Sequence, residues 1–379
     1  MKLIAVLVLA LAKGLQETPP DDRFYGRVYT KGGNVYEGYL RRTPNEGSWS
    51  DLLDGNKEIP RRHLLEAEDP DEEHFRERRR SRVIRFLGIR ITWDEDEDAV
   101  TSAASGIRFG HVRTLEVLSR RSAVLVLKCG EEVEFRGGSS DRGRSLRSVI
   151  VEDPEAVEIE FEFEWRDLEI IDFMQAPAGI GEPSASRLFG TLQTYSGEEF
   201  TGYVAWDNDE ILGSDDLDGE EDGRSRKIPF DRIVAIERAG SSATRVVLRN
   251  GKELTLRGTN DVDDDNRGIA ISDPTMGQVV VDWGEFESIT FHEPTASGGG
   301  YRDFDGGRRL YGVVETERSQ EFEGFIRWDN DEEYSWEILD GENGGLEFDI
   351  EFGQIDTVRK LGSWGAASRW PHLRARRLE

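Results

Sequence analysis

YGRVYTKGGNVYEGYLRRTPNEGSWSDLLDG (residues 25–55), FGTLQTYSGEEFTGYVAWDNDEILGSDDLDG (189–219) and YGVVETERSQEFEGFIRWDNDEEYSWEILDG (311–341) lie over one another without a gap. Gly26, Gly190 and Gly312 each precede a second glycine, at Gly38, Gly202 and Gly324, and every copy ends in Leu-Asp-Gly, centred on Asp54, Asp218 or Asp340. Thr30, Thr194 and Thr316 coincide, as do Glu46, Glu210 and Glu332. Chance does not produce this, so the chain is built on an internal repeat, here called the A unit. A second unit, B, recurs as SAVLVLKCGEEVEFRG (122–137) and ATRVVLRNGKELTLRG (243–258), each continuing to an Asp-Pro, at Asp153 and Asp273. Linking strands follow from Phe109, Phe230 and Phe352, giving the order A-B-A-B-A.

Both units alternate apolar and polar residues in short runs broken by Gly, Asn or Asp, the period of half-buried strands. Asn250-Gly251 is a hairpin signal in which both residues of a tight turn take positive φ. The Leu-Asp-Gly triplets read as further turns. Gly202 and Gly324, inside strand runs, are expected where the second strand of each A unit passes close to a neighbour. The fold class that follows is all-β, with tandem small antiparallel β-barrel or sheet repeats. The first copy carries an insertion, at about residues 56–106, that is arginine-dense from Arg76 to Arg90 and reads as a charged helix or two broken near Pro70.

The pattern VxTxxGxxFxGxVxWD of the A units resembles the strand-turn-strand core of Sm-like and SH3-like small barrels, and the tandem arrangement resembles uncharacterised exported bacterial repeat proteins. RNA binding is not part of what that resemblance implies here. The family's Asn after the second-strand Asp is Glu333 in this chain, and Gly324 to Asp329 is one residue shorter than the family spacing.

Against 49 Lys and Arg stand 77 Asp and Glu, a formal net charge of −28 that repels nucleic acid and anionic membranes. Nine Trp and 18 Phe, spread along the chain, argue against an acidic disordered protein. Met1, Lys2 and an apolar run from Leu3 to Ala12 have the order of an export signal, too short to span a bilayer, and no later run approaches that length. The organisation expected is an export signal and leader (1–20), a first A-plus-B block (22–174), a linker (175–187), a second block (188–292), a linker (293–308), a third A unit (309–361) and a tail (362–379). Cys129 is the only cysteine, which excludes an intramolecular disulfide framework and reads as a turn residue.

Five histidines without zinc spacing, and the lack of a nucleophile elbow, Walker loop or dinucleotide fingerprint, give no active-site pattern. Abundant carboxylates alone do not indicate a carbohydrate-active enzyme, which ranks behind the other readings. Calcium is the sharper possibility, because hard cations take oxygen ligands and DDLDGEEDG (215–223) and NDVDDDNRG (260–268) place acids close together. The candidate ligands are Glu210, Asp215 and Asp218 in the second A unit, Glu332, Glu337 and Asp340 in the third, and Asp261, Asp263 and Asp265 in the second B unit. Asp51, Asp215 and Glu337 keep an acid at one aligned place. In WDNDE (206–210 and 328–332) the Trp is expected to pack beneath a turn formed by the polar residues. The chain therefore reads as an exported, non-catalytic binding or structural module with a protein or polysaccharide partner and no nucleic acid. The alternative is a calcium-dependent module.

Overall fold

The computed structural model describes residues 22–42, 45–58, 83–86, 89–92, 102–136, 148–154, 160–273, 277–294, 299–329 and 331–360. The leader and the tail lie outside this set, as does most of the 56–106 insertion read as helical. The parts of that insertion that are described are strands.

The first half contains β1 (Tyr25–Thr30), β2 (Val35–Arg42), β3 (Leu52–Glu58), β4 (Val83–Phe86), β5 (Ile89–Thr92), β6 (Ser102–Arg108), β7 (Val112–Val117), β8 (Ser122–Leu127), β9 (Glu132–Arg136), β10 (Ser148–Glu152), β11 (Glu160–Glu164) and β12 (Leu168–Phe173). The second has β13 (Phe189–Thr194), β14 (Glu199–Ala205), β15 (Asp216–Glu221), β16 (Arg224–Pro229), β17 (Ile233–Arg238), β18 (Thr244–Leu248), β19 (Glu253–Leu256), β20 (Ile269–Asp273), β21 (Gly277–Val281) and β22 (Phe286–Phe291). The third A unit gives β23 (Tyr311–Glu315), β24 (Glu321–Phe325), β25 (Ile338–Asn343) and β26 (Leu346–Glu351).

One antiparallel sheet has the order β11-β10-β2-β1-β12-β7-β8-β9-β3-β6. A second has β19-β18-β17-β22-β13-β14-β20-β21-β26-β25. Read in reverse, the second repeats the first from β11 through β9, so the duplication in sequence is a duplication of strand order. The sheets are open, which corrects the expectation of separate small barrels. The first A hairpin sits in mid-sheet between two B strands, β1 against β12 and β2 against β10, so A and B share one sheet instead of each closing on itself. The same holds for β13 against β22 and β14 against β20.

Alternation decides the faces. Val28 and Leu192 are fully buried at matched positions, and each half has its own apolar core. The third A unit is divided between them. Leu346, Phe348 and Ile350 of β26 pack into the second core, where β26 pairs with β21, while Trp336 enters the first.

Two turn readings change. The Leu-Asp-Gly triplets are not turns, since Asp54, Asp218 and Asp340 lie within strands β3, β15 and β25. Asn250-Gly251 does join β18 to β19, but only Gly251 has positive φ, 80°. Gly251 N–H donates to the Leu248 carbonyl at 2.9 Å and Leu248 N–H to the Lys252 carbonyl at 2.9 Å. This is the three-residue loop with a left-handed glycine, not the two-residue turn.

Candidate functional site: the acidic corners and the third hairpin

In both WDNDE copies the tryptophan N–H donates to the carbonyl of the closing glutamate at 2.8 Å, Trp206 to Glu210 and Trp328 to Glu332. Asp207, Asn208 and Asp329 take φ of 52°, 54° and 45°, left-handed values that Asn and Asp tolerate best among side-chain-bearing residues. The polar residues therefore do build the turn.

What the corner holds differs between copies. In the second A unit Trp206 is fully buried, and its indole N–H donates to the Asp261 carbonyl at 2.9 Å. Its ring packs edge-on against Phe286 at 5.4 Å. Asp207, also fully buried, accepts from Arg267 N–H at 2.6 Å, from its Nε at 3.0 Å and Nη2 at 2.6 Å, and from Asn260 Nδ2. Asp209 accepts from Arg267 Nη2 at 2.6 Å, and Asn208 donates to the Arg267 carbonyl at 2.8 Å. The corner thus clasps the acidic 260–268 loop of the B unit.

That clasp brings Asp207, Glu210 and Asp261 together, with one carboxylate oxygen of each within 4.8 Å of the others. Burial first, and then the neighbouring acids Asp261, Asp207 and Asp209, push Glu210 up to about 9. Burial pushes Asp261 up to about 6, although it accepts the Asp218 N–H at 2.7 Å. In the third copy burial, then Asp331, raises Glu332 to about 9. In the first, Arg42 stands where the others have Trp and pairs with Glu46, whose carboxyl burial nonetheless pushes up to about 7.

Of the residues read as calcium ligands, the structure brings Glu210 and Asp261 together and adds Asp207. Asp218 reaches this loop through its backbone, while its side chain pairs with Lys227 at 3.1 Å. Asp263 Oδ1 caps the Asp265 N–H at 3.1 Å in a local turn. Asp340 is exposed on β25.

Asp215 and Glu337 have another task, shared with Asp51. In each, one oxygen caps two backbone N–H groups of the preceding turn: Gly47 and Ser48 for Asp51, Ile211 and Leu212 for Asp215, Glu333 and Tyr334 for Glu337. Each also takes a cation from a different repeat. Arg187 Nη2 lies 2.8 Å from Asp51, Arg41 grips Asp215 with both nitrogens at 2.9 and 2.8 Å, and Lys57 Nζ donates to Glu337. Lys57 also donates to the Asp331 carbonyl at 2.6 Å. These acids bind repeat to repeat. The three cations, Arg41, Lys57 and Arg187, occupy unrelated places in the chain, so aligning the acids could not pair them.

The third hairpin differs most. Its pairing is the same, Gly312 opposite Gly324 as Gly26 is opposite Gly38 and Gly190 opposite Gly202. An edge-on aromatic pair recurs as Tyr25–Tyr39, Phe189–Tyr203 and Tyr311–Phe325, with centroids 5.4, 5.2 and 5.3 Å apart. Yet among the described residues β23 and β24 pair only with each other. Val314, at the place of fully buried Val28 and Leu192, is 49% exposed; Phe325, at the place of Tyr39 and Tyr203 (1% and 2%), is 65% exposed. Trp328 is 38% exposed, so the buried tryptophan expected under this corner is found only in the second copy.

Among the described residues no helix is long and apolar enough to cross a membrane. Comparison with protein-family models, with curated proteins and with solved structures found no match for this chain.

Proposed function

We propose that the protein is an exported, non-catalytic binding module, assembled from strand-turn-strand repeats of the Sm-like and SH3-like kind, whose partner seats on the third hairpin. The observation that carries this is the contrast among three matched hairpins. Two have their Val or Leu in a core, and the third presents Val313, Val314, Phe322, Phe325 and Trp328 to water. Val314 and Phe322 lie opposite one another on the glycine face, and Val313 and Phe325 lie on the other face; exposed apolar surface of this kind marks interaction sites in soluble proteins. The partner is a macromolecule, and a net charge of −28 disfavours nucleic acid. Phe322→Glu with Phe325→Glu alters only exposed side chains. Capture from the exported fraction should retain one stoichiometric partner on the unmodified chain and lose it on the variant. Retention by the variant contradicts the proposal.

A second reading, a calcium-dependent module, is favoured by Asp207, Glu210 and Asp261. Three carboxyl groups crowd this partly buried corner, and a divalent cation would take the place of the proton that Glu210 holds. Its test is whether calcium raises the unfolding midpoint beyond matched sodium chloride, and whether Glu210→Gln removes the difference.

A further inference from the structure

The first two A units show what their glycines are for. A methyl group on Gly38 would lie 2.8 Å from the Glu152 carbonyl carbon of β10, and one on Gly202 would lie 2.8 Å from the Ser272 carbonyl carbon of β20. On the other strand, a methyl on Gly190 would meet the Thr290 carbonyl oxygen of β22 at 2.7 Å. In β15, Gly219 would meet Leu256 Cβ of β19 at 2.9 Å. Each glycine leaves room for a backbone or side chain of the B unit. The third A unit keeps the glycines without the neighbours. Around Gly324 and around Gly341 there is nothing within 4 Å, and Gly312 meets only Ile326 Cδ1 at 3.1 Å. The strand itself is cut short. β2 and β14 run on to Arg42 and Ala205, whereas β24 stops at Phe325, where the ladder partner of the other copies would begin.

We propose that a partner protein adds an extended strand antiparallel to β24, seated over Gly324 as β10 is over Gly38 and β20 over Gly202. This rests on the binding reading above and names the partner's chemistry. Main-chain hydrogen bonds to a free edge give the affinity, and alternate side chains give the selection. The partner strand carries apolar residues to cover Val314 and Phe322, which share the face of Gly312 and Gly324. Its flanking residues are Lys or Arg, because Glu315, Glu317, Glu321 and Glu323 are all exposed on this hairpin against Arg318. Lys360 already lies 3.4 Å from Glu317. A second copy would bring the same acids against themselves.

The test uses the full chain and a capped peptide, Lys-Ser-Val-Ile-Val-Lys, built on the apolar core of β10. It should bind, slow amide exchange at 322–327, and bind at least tenfold more tightly than its glutamate-flanked counterpart. Gly324→Ala should weaken it tenfold or more while the unfolding midpoint does not fall, since the methyl occupies only the partner's place. Glu321→Lys with Glu323→Lys should reverse the charge preference. Equal binding to Gly324→Ala, no binding, or protection elsewhere on the chain overturns the proposal. So does protection of 322–327 in the free chain that disappears on dilution or on ending the chain at residue 360, which would assign the edge to a second copy or to the chain's own tail. If Gly324→Ala keeps the captured partner while Phe322→Glu with Phe325→Glu loses it, the binding face stands and strand addition falls.

Discussion

Gly202→Ala and Gly324→Ala are the same change at the same place in two copies of one unit, and the structure assigns them different outcomes. At Gly202 the added methyl lies 2.8 Å from the Ser272 carbonyl carbon and 3.1 Å from Ile271 Cγ2. The first is backbone in the middle of a ten-stranded sheet and cannot turn aside, so β14 and β20 must separate. Overpacking of this kind costs about 1–3 kcal/mol. Replacing glycine returns about 0.4–1 kcal/mol by restricting the unfolded chain. The net expectation is a loss of roughly 1–2 kcal/mol at Gly202. At Gly324 there is no opposing cost, so alanine should leave stability unchanged or raise it by up to ~1 kcal/mol. The sequence places Gly324, like Gly202, where a strand passes close to a neighbour, and the open space around Gly324 overturns that expectation. Equilibrium urea unfolding of the two variants beside the unmodified chain measures the contrast. Equal destabilisation by both would refute the claim that the third hairpin is uncovered.

Glu210 and Glu332, held near 9, keep a proton in the folded form that the unfolded chain releases near the ordinary 4.5. Their contribution to stability is complete below the lower value and drains as pH rises through the upper one. The urea midpoint should therefore fall between about pH 5 and 9, and Glu210→Gln with Glu332→Gln should flatten that fall; an unchanged slope contradicts it. If calcium occupies the corner, its stabilising effect grows over the same range, because carboxylate ligands must lose their protons. Lys57→Met leaves Glu337 buried without its cation, a loss of about 3–5 kcal/mol in urea unfolding, and a loss under ~1 kcal/mol would show that the pair does not tie the third unit to the first.

The sequence carried the repeat, the all-β class and the corner, because each is written in local spacing: glycines twelve positions apart, alternation of period two, and turn-forming Asp and Asn. Barrel closure was misjudged because pairing across a sheet is not local. Nothing in 25–55 says that β2 will pair with β10, more than a hundred residues on. The acids show the same limit. Glu210 and Asp261, which the fold brings together, were read as candidate ligands on the same footing as Asp215 and Glu337, whose cations Arg41 and Lys57 come from distant parts of the chain. The exposure of Val314 was hidden because its sequence context matches that of buried Leu192. Only the covering strands differ.

Amide hydrogen–deuterium exchange of the three matched hairpins, residues 25–42, 189–205 and 311–327, in the free chain tests most directly whether the third is uncovered. Amides held in mid-sheet open only with large unfolding, while those of an isolated edge open locally. Slow exchange in the first two and fast exchange in the third, with β24 the least protected of the matched second strands, is the predicted result. Comparable protection in all three would mean that the third hairpin is already covered, and the binding surface proposed for it would not exist.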